Sequence, residues 1–137
     1  MTAEGASEAV PGRTYAAGLA EGRLLFQECG DCWRAVFFPR VACPHCGGRA
    51  LRYRESRGFG TVYATTSVYR RSGEPYDVSL IDLDEGFRMM SRVDGPPAED
   101  VEVGMRVRFA VETVDGEPVA VFRPAANGDG PTTGARR

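Results

Sequence analysis

Residues 29–46 read CGDCWRAVFFPRVACPHC, and their spacing is C-x2-C, ten residues, C-x2-C. Each pair places two thiolates on one tight turn. Two such turns brought together make a tetrahedron of four sulfurs, the shell of a closed, structural Zn2+ site. Cys29, Cys32, Cys43 and Cys46 are the only cysteines in the chain, so none is left over and no other ligand is required. Two disulfides are the rival use of four cysteines. The paired spacing argues against them, and so does the lack of a cationic stretch followed by an apolar run at the start.

Working outward, Leu24 to Gln27 reads as a short strand entering the first knuckle. Val36 to Phe38 reads as its return strand, ended by Pro39. Gly47-Gly48 after the second knuckle permits the positive φ that turns backbone amides toward sulfur. This is the pattern of a rubredoxin-like zinc ribbon, expected over residues 23–50. Trp33, the only tryptophan, either covers the metal or meets a partner. Upstream, RTYAAGLAEG (13–22) predicts a short helix with Tyr15 and Leu19 on one face and Gly22 as its stop, although Gly18 weakens it. An arm and short helix are expected over 1–22, with 1–12 frayed.

Residues 51–124 read as strands. Val62, Ala64, Thr66 and Val68 share one face of 59–69. Tyr76, Val78 and Leu80 alternate and then shift phase at Ile81 and Leu83, which predicts a bulge or a strand buried on both faces. Phe87, Met89 and Val93 alternate with Arg88, Met90 and Arg92; Met105, Val107, Phe109 and Val111 alternate with Arg106, Arg108 and Glu112. Turns fall at Ser72-Gly73, Asp84-Glu85-Gly86, Asp94 to Pro97 and Asp115-Gly116. Five short strands joined by such turns, with no long helical pattern between them, predict a small OB-type barrel over 51–125. A Gly-, Pro- and Thr-rich tail, 126–137, is expected to be disordered. The fold class is therefore mainly β: a short helix, a rubredoxin-like zinc ribbon and a five-stranded OB barrel.

Composition excludes several chemistries. The chain has 137 residues and is 42% hydrophobic, enough for one ordinary domain or two small ones. No run approaches the ~18 apolar residues of a membrane span, and a soluble, cytoplasmic protein is expected. All 17 basic residues are arginine, and the single histidine, His45, lies inside the second knuckle. A Schiff-base lysine is impossible, and a serine or cysteine nucleophile has no free imidazole to activate it. Asp82, Asp84 and Glu85 fit a hairpin turn better than a catalytic carboxylate set. No catalytic residue is assigned, and activity from this chain alone is not expected. Charge is uneven: residues 1–73 carry ten Arg against six acids, and residues 74–137 seven Arg against thirteen.

Taken in order, GLAEGRLLFQECGDC (18–32), FPRVACPHCGG (38–48), GFGTVYATTSVYR (58–70), DLDEGFRMMSRVDG (82–95), VGMRVRF (103–109) and VFRPA (121–125) resemble the zinc-ribbon/OB-fold family associated with acyl-CoA metabolism. Its members accompany thiolases and thiolase-like aldolases. The likeness spans roughly residues 13–125. It departs at Gly58-Phe59-Gly60, where the family often has a polar middle residue, and in a short 70–76 loop. The resemblance implies a non-catalytic accessory subunit with a structural zinc. Its partner would be a thiolase-like enzyme that forms or cleaves carbon–carbon bonds in acyl-CoA thioesters, in a hetero-oligomer.

On that reading Trp33, Phe37 and Phe38 are candidate interface anchors, or pack on the chain's own ribbon or barrel. Arg49, Arg52, Arg54 and Arg57 are candidate contacts to CoA phosphates or an acidic partner, since a guanidinium offers phosphate a bidentate fork. The alternative is single-stranded nucleic-acid binding, with Tyr53, Tyr63 and Tyr69 stacking bases beside Arg52, Arg54, Arg70 and Arg71. The acidic second half and a pI near 5.5 weigh against it. A third reading gives the four sulfurs to dithiol chemistry or to iron.

Overall fold

The computed structural model of the chain describes residues 11–126. The first ten residues and most of the expected tail lie outside the described residues. The order of elements is a helix α1 (Pro11–Ala20), then strands β1 (Leu25–Cys29), β2 (Ala35–Val36), β3 (Leu51–Glu55), β4 (Phe59–Val68), β5 (Tyr76–Leu83), β6 (Arg88–Ser91), β7 (Arg106–Val114) and β8 (Glu117–Pro124). One 3-10 turn, Ala98–Asp100, separates β6 from β7.

Helix α1 begins on a proline, whose missing N–H is no loss in the first turn. It ends in a Schellman motif: the Arg23 N–H donates to the Gly18 carbonyl (2.8 Å) and the Gly22 N–H to the Leu19 carbonyl (2.9 Å). Gly22 takes the left-handed seat, at φ 79°. Gly18, which weakens the helix as read from sequence, has a packing reason. A Cβ there would stand 2.8 Å from Leu25 Cδ1, so the glycine lets the helix lie close on β1. The helix also touches β8, and so bridges both halves of the molecule.

The first three strands form one sheet in the order β2-β1-β3, and the last five form another in the order β6-β5-β4-β7-β8. Strand β3 was expected at the start of the barrel, but it pairs along its whole length with β1, from Leu25↔Glu55 to Cys29↔Leu51. The second sheet curls until its edges meet. Val93 bridges Phe122 in parallel, with Phe122 N–H donating to Arg92 O (3.0 Å) and Asp94 N–H to Phe122 O (2.7 Å). This closure is the OB topology, and it removes the free sheet edge. The β7–β8 hairpin turns on Asp115-Gly116, both at positive φ, as a two-residue turn of primed type requires.

The phase shift read in 76–83 has a different origin. Strand β5 alternates without interruption, with Asp77, Ser79, Ile81 and Leu83 facing inward. The bulge lies on its neighbour β4, where Val62 pairs with Ile81 and Ala64 with Leu80, leaving Tyr63 extra. Beyond Tyr63 the inward face of β4 passes to Thr65 and Ser67, and Thr66 is exposed. The apolar alternation of Tyr76, Val78 and Leu80 therefore marks the outer face. The inner end of the barrel is polar: Asp77 accepts from the Val93 N–H (2.9 Å) and from the Ser79 hydroxyl (2.6 Å).

One core serves both sheets. Leu24 and Phe26 of the ribbon side pack with Val62, Ile81, Phe87 and Phe122 of the barrel. Phe87 lies between Phe26 and Phe37, stacked at centroid distances of 4.7 and 5.1 Å. The hairpin carboxylate Glu85 ties the junction, accepting from the Ser56 hydroxyl (2.7 Å) and the Arg57 N–H (2.8 Å). Among the described residues no helix is long and apolar enough to cross a membrane.

Candidate metal centre

Two knuckles with the same hydrogen-bond plan hold the four cysteines. In the first, the Asp31 and Cys32 N–H groups point at Cys29 Sγ (3.3 and 3.5 Å), and Trp33 N–H closes the turn onto Cys29 O (2.8 Å). In the second, the His45 N–H points at Cys43 Sγ (3.3 Å) and the Gly48 N–H at Cys46 Sγ (3.4 Å), and Gly47 N–H closes onto Cys43 O (2.8 Å). Amides aimed at sulfur favour thiolate over thiol.

The four Sγ atoms lie within 4.8 Å of one another. The Cys29–Cys46 and Cys32–Cys43 separations are both 3.7 Å. A tetrahedron with Zn–S bonds of about 2.3 Å has edges of about 3.8 Å, so the donor set fits zinc in number, chemistry and size. All four cysteines are free of disulfide bonds. Burial disfavours the Cys43 thiolate, but the Cys46 and His45 amides and the neighbouring thiols outweigh it and bring its pKa to about 7. At Cys46 the Gly48 N–H favours the charge, but burial and the other three sulfurs override it and push the pKa up to about 12. Four thiolates this close need a cation to be charged together, and a divalent ion supplies it.

Cys29 and Cys43 are buried with Val36, with Leu51 packed alongside, so the centre closes one end of the three-stranded sheet. His45 is exposed; its backbone serves the site. Trp33 is largely open to solvent. It is 66% exposed, and Arg52 lies over its ring at 5.6 Å from the centroid.

The four arginines singled out by sequence divide into two pairs. Arg52 and Arg54 both meet Glu28, at 3.7 and 2.7 Å, an acid the sequence reading did not connect to them. Its signal was the strand register, which sets Glu28 opposite Arg52. Arg49 and Arg57 are exposed. Phe37 is packed against the shared core, whereas Phe38 is 44% exposed and meets Tyr15 edge-on at 4.8 Å. The tyrosines of the nucleic-acid alternative are split between sheets: Tyr53 in the first, Tyr63 in the second, where the Arg88 guanidinium sits 3.5 Å above its ring.

Comparison with known proteins agrees with both halves of this architecture. The rubredoxin-like zinc ribbon domain of ChsH2 matches residues 16–52, and the C-terminal OB-fold domain of ChsH2 matches residues 53–112. The chain belongs to the ChsH2/DUF35 family. Among solved structures, an Ltp2-ChsH2(DUF35) aldolase superposes with a TM-score of 0.74 at 30% identity, over 82% of this chain and 93% of that one. A DUF35 domain-containing scaffold protein of Methanocaldococcus jannaschii is 28% identical over 118 residues, 76% of this chain and 83% of that protein. A probable enoyl-CoA hydratase alpha subunit of Thermomonospora curvata is 32% identical over 110 residues. The match takes in 75% of this chain and spans about a third of that relative's length, 34%. The ChsH2/DUF35 assignment carries the zinc ribbon and the OB barrel together, in the order seen here.

Proposed function

We propose that this chain is a non-catalytic accessory subunit. It binds and supports a thiolase-like enzyme acting on acyl-CoA thioesters, with zinc as a structural ion. The observation that carries the reading is that all four cysteine sulfurs are drawn into one closed set, while the sole imidazole, His45, is exposed on the second knuckle. The likeness to a ChsH2(DUF35) chain named together with an Ltp2 aldolase, and to a DUF35 scaffold protein, supports a scaffold role and a heteromeric partner. Carbon–carbon bond formation, or retro-aldol or thiolytic cleavage, then belongs to the partner.

Zinc, when bound, supplies rigidity: four protein ligands leave no position for water or substrate. The chain's own residues hold it through Cys29, Cys32, Cys43 and Cys46 and stabilise the thiolates through the knuckle amides. Arg49 and Arg57 remain the candidates for CoA phosphate, because Arg52 and Arg54 share Glu28. The test is coexpression with the thiolase- or aldolase-like protein of the same genome. A stoichiometric complex is expected, active towards an acyl-CoA only when both chains are present. Turnover of a thioester by the purified chain alone, or failure to associate with any such protein, would overturn the reading.

A further inference from the structure

The two knuckles differ at one structurally equivalent position. Gly47 follows the second knuckle's last cysteine, donates to Cys43 O and sits at φ 80°; Trp33 follows the first knuckle's last cysteine, donates to Cys29 O and sits at φ 66°. The left-handed region is unfavourable for any residue with a Cβ and is an outlier for a bulky one. The geometry of the turn calls for glycine, and this chain places its only tryptophan there. Among the described residues its side chain joins neither buried cluster. The indole is 66% exposed, it lies outside the buried cluster around Cys29, Val36 and Cys43, and the exposed Arg52 lies over its ring.

We infer that Trp33 is the anchor of the chain's interface with its partner subunit, inserting into an apolar pocket whose rim carries basic and acidic groups to match the mixed charges around it. The inference rests on the accessory-subunit reading and assigns its contact surface. A large aromatic group is displayed on a turn stiffened by the ion and by the β1–β3 ladder, so little freedom remains to be lost on binding. Tryptophan is among the residues that dominate interface energetics when desolvated. Arg34 follows it in the chain and Arg52 lies over its ring, while Glu28, paired with Arg52, and the exposed Asp31 share the patch, so the surround suits a rim that carries both signs. A polyphosphate is disfavoured, because Glu28 and the exposed Asp31 lie in the same patch.

The test uses the full zinc-loaded chain grown with 5-fluorotryptophan, which carries a single fluorine resonance. Titrated with the partner obtained by coexpression, that resonance is expected to shift and broaden to saturation. Addition of a single-stranded 20-mer oligonucleotide, or raising the chain's own concentration, should leave it in place. In parallel, Trp33→Gly is expected to keep its zinc, hold or raise its Tm, and bind the partner about tenfold more weakly or worse. A merely structural tryptophan would move the Tm down and leave affinity alone. A resonance that ignores the partner overturns the inference, as does a Trp33→Gly chain that binds as tightly as the parent or a saturating shift with the oligonucleotide. If no partner associates with the parent chain, the accessory-subunit reading itself fails. If parent and variant bind a partner equally well, this inference alone fails.

Discussion

Gly60 and Tyr15 show how single positions are constrained by neighbours far off in sequence. A Cβ on Gly60 would stand 2.7 Å from the Asp82 carbonyl oxygen and 2.9 Å from Ile81 Cγ2, where β4 and β5 pair with Gly60 opposite Leu83. Backbone cannot swing aside as a side-chain tip can. Gly60→Ala is therefore expected to cost about 1–3 kcal/mol, read as a lower urea midpoint. The Tyr15 phenol is pushed up to about 12 by burial among Phe37 and Phe38. Its folded pKa exceeds the unfolded value of 10.0, so above that pH the unfolded state releases the proton first. Stability should be intact below pH 10 and fall as pH rises through 10–12. Tyr15→Phe should flatten that alkaline limb in a series of thermal melts.

At the scale of elements, the turns and the cysteine knuckles were legible because each is encoded within a few residues. Asp115-Gly116, Asp84-Glu85-Gly86 and the two C-x2-C pairs all fall where sequence places them. The bulge was not. The apparent phase shift in 76–83 comes from the polar inward residues Asp77 and Ser79 of β5, whereas the extra residue is Tyr63 on β4, which only pairing reveals. The role of Glu85 was equally hidden. The residue reads as part of a hairpin, and the fold turns it into the clasp that receives Ser56 and Arg57 at the ribbon–barrel junction. Glu85→Ala should cost about 1–3 kcal/mol by leaving those donors without their acceptor. Hydrogen exchange should show the loss first at residues 56–58.

The molecule as a whole is expected to unfold as one unit. Phe26 of β1 and Phe37 of the ribbon clasp Phe87 of the barrel hairpin, and α1 rests on both β1 and β8. Removal of the ion by a chelator, or by acid that protonates the thiolates, should release the knuckles and lower the barrel's stability too. Calorimetry is expected to show a single transition for the zinc-loaded chain, moved to lower temperature without metal. Two separate transitions, the upper one indifferent to chelator, would contradict the shared core.

The amino-acid sequence by itself determined the metal shell and the order of helix, ribbon and barrel. Those follow from residue type and from spacings of a few positions. Tertiary structure alone decided that Trp33 faces solvent, that Arg52 and Arg54 share Glu28, and that β3 joins the ribbon sheet. These depend on strand register between segments twenty or more residues apart, where side chains meet because the backbone ladders bring them together.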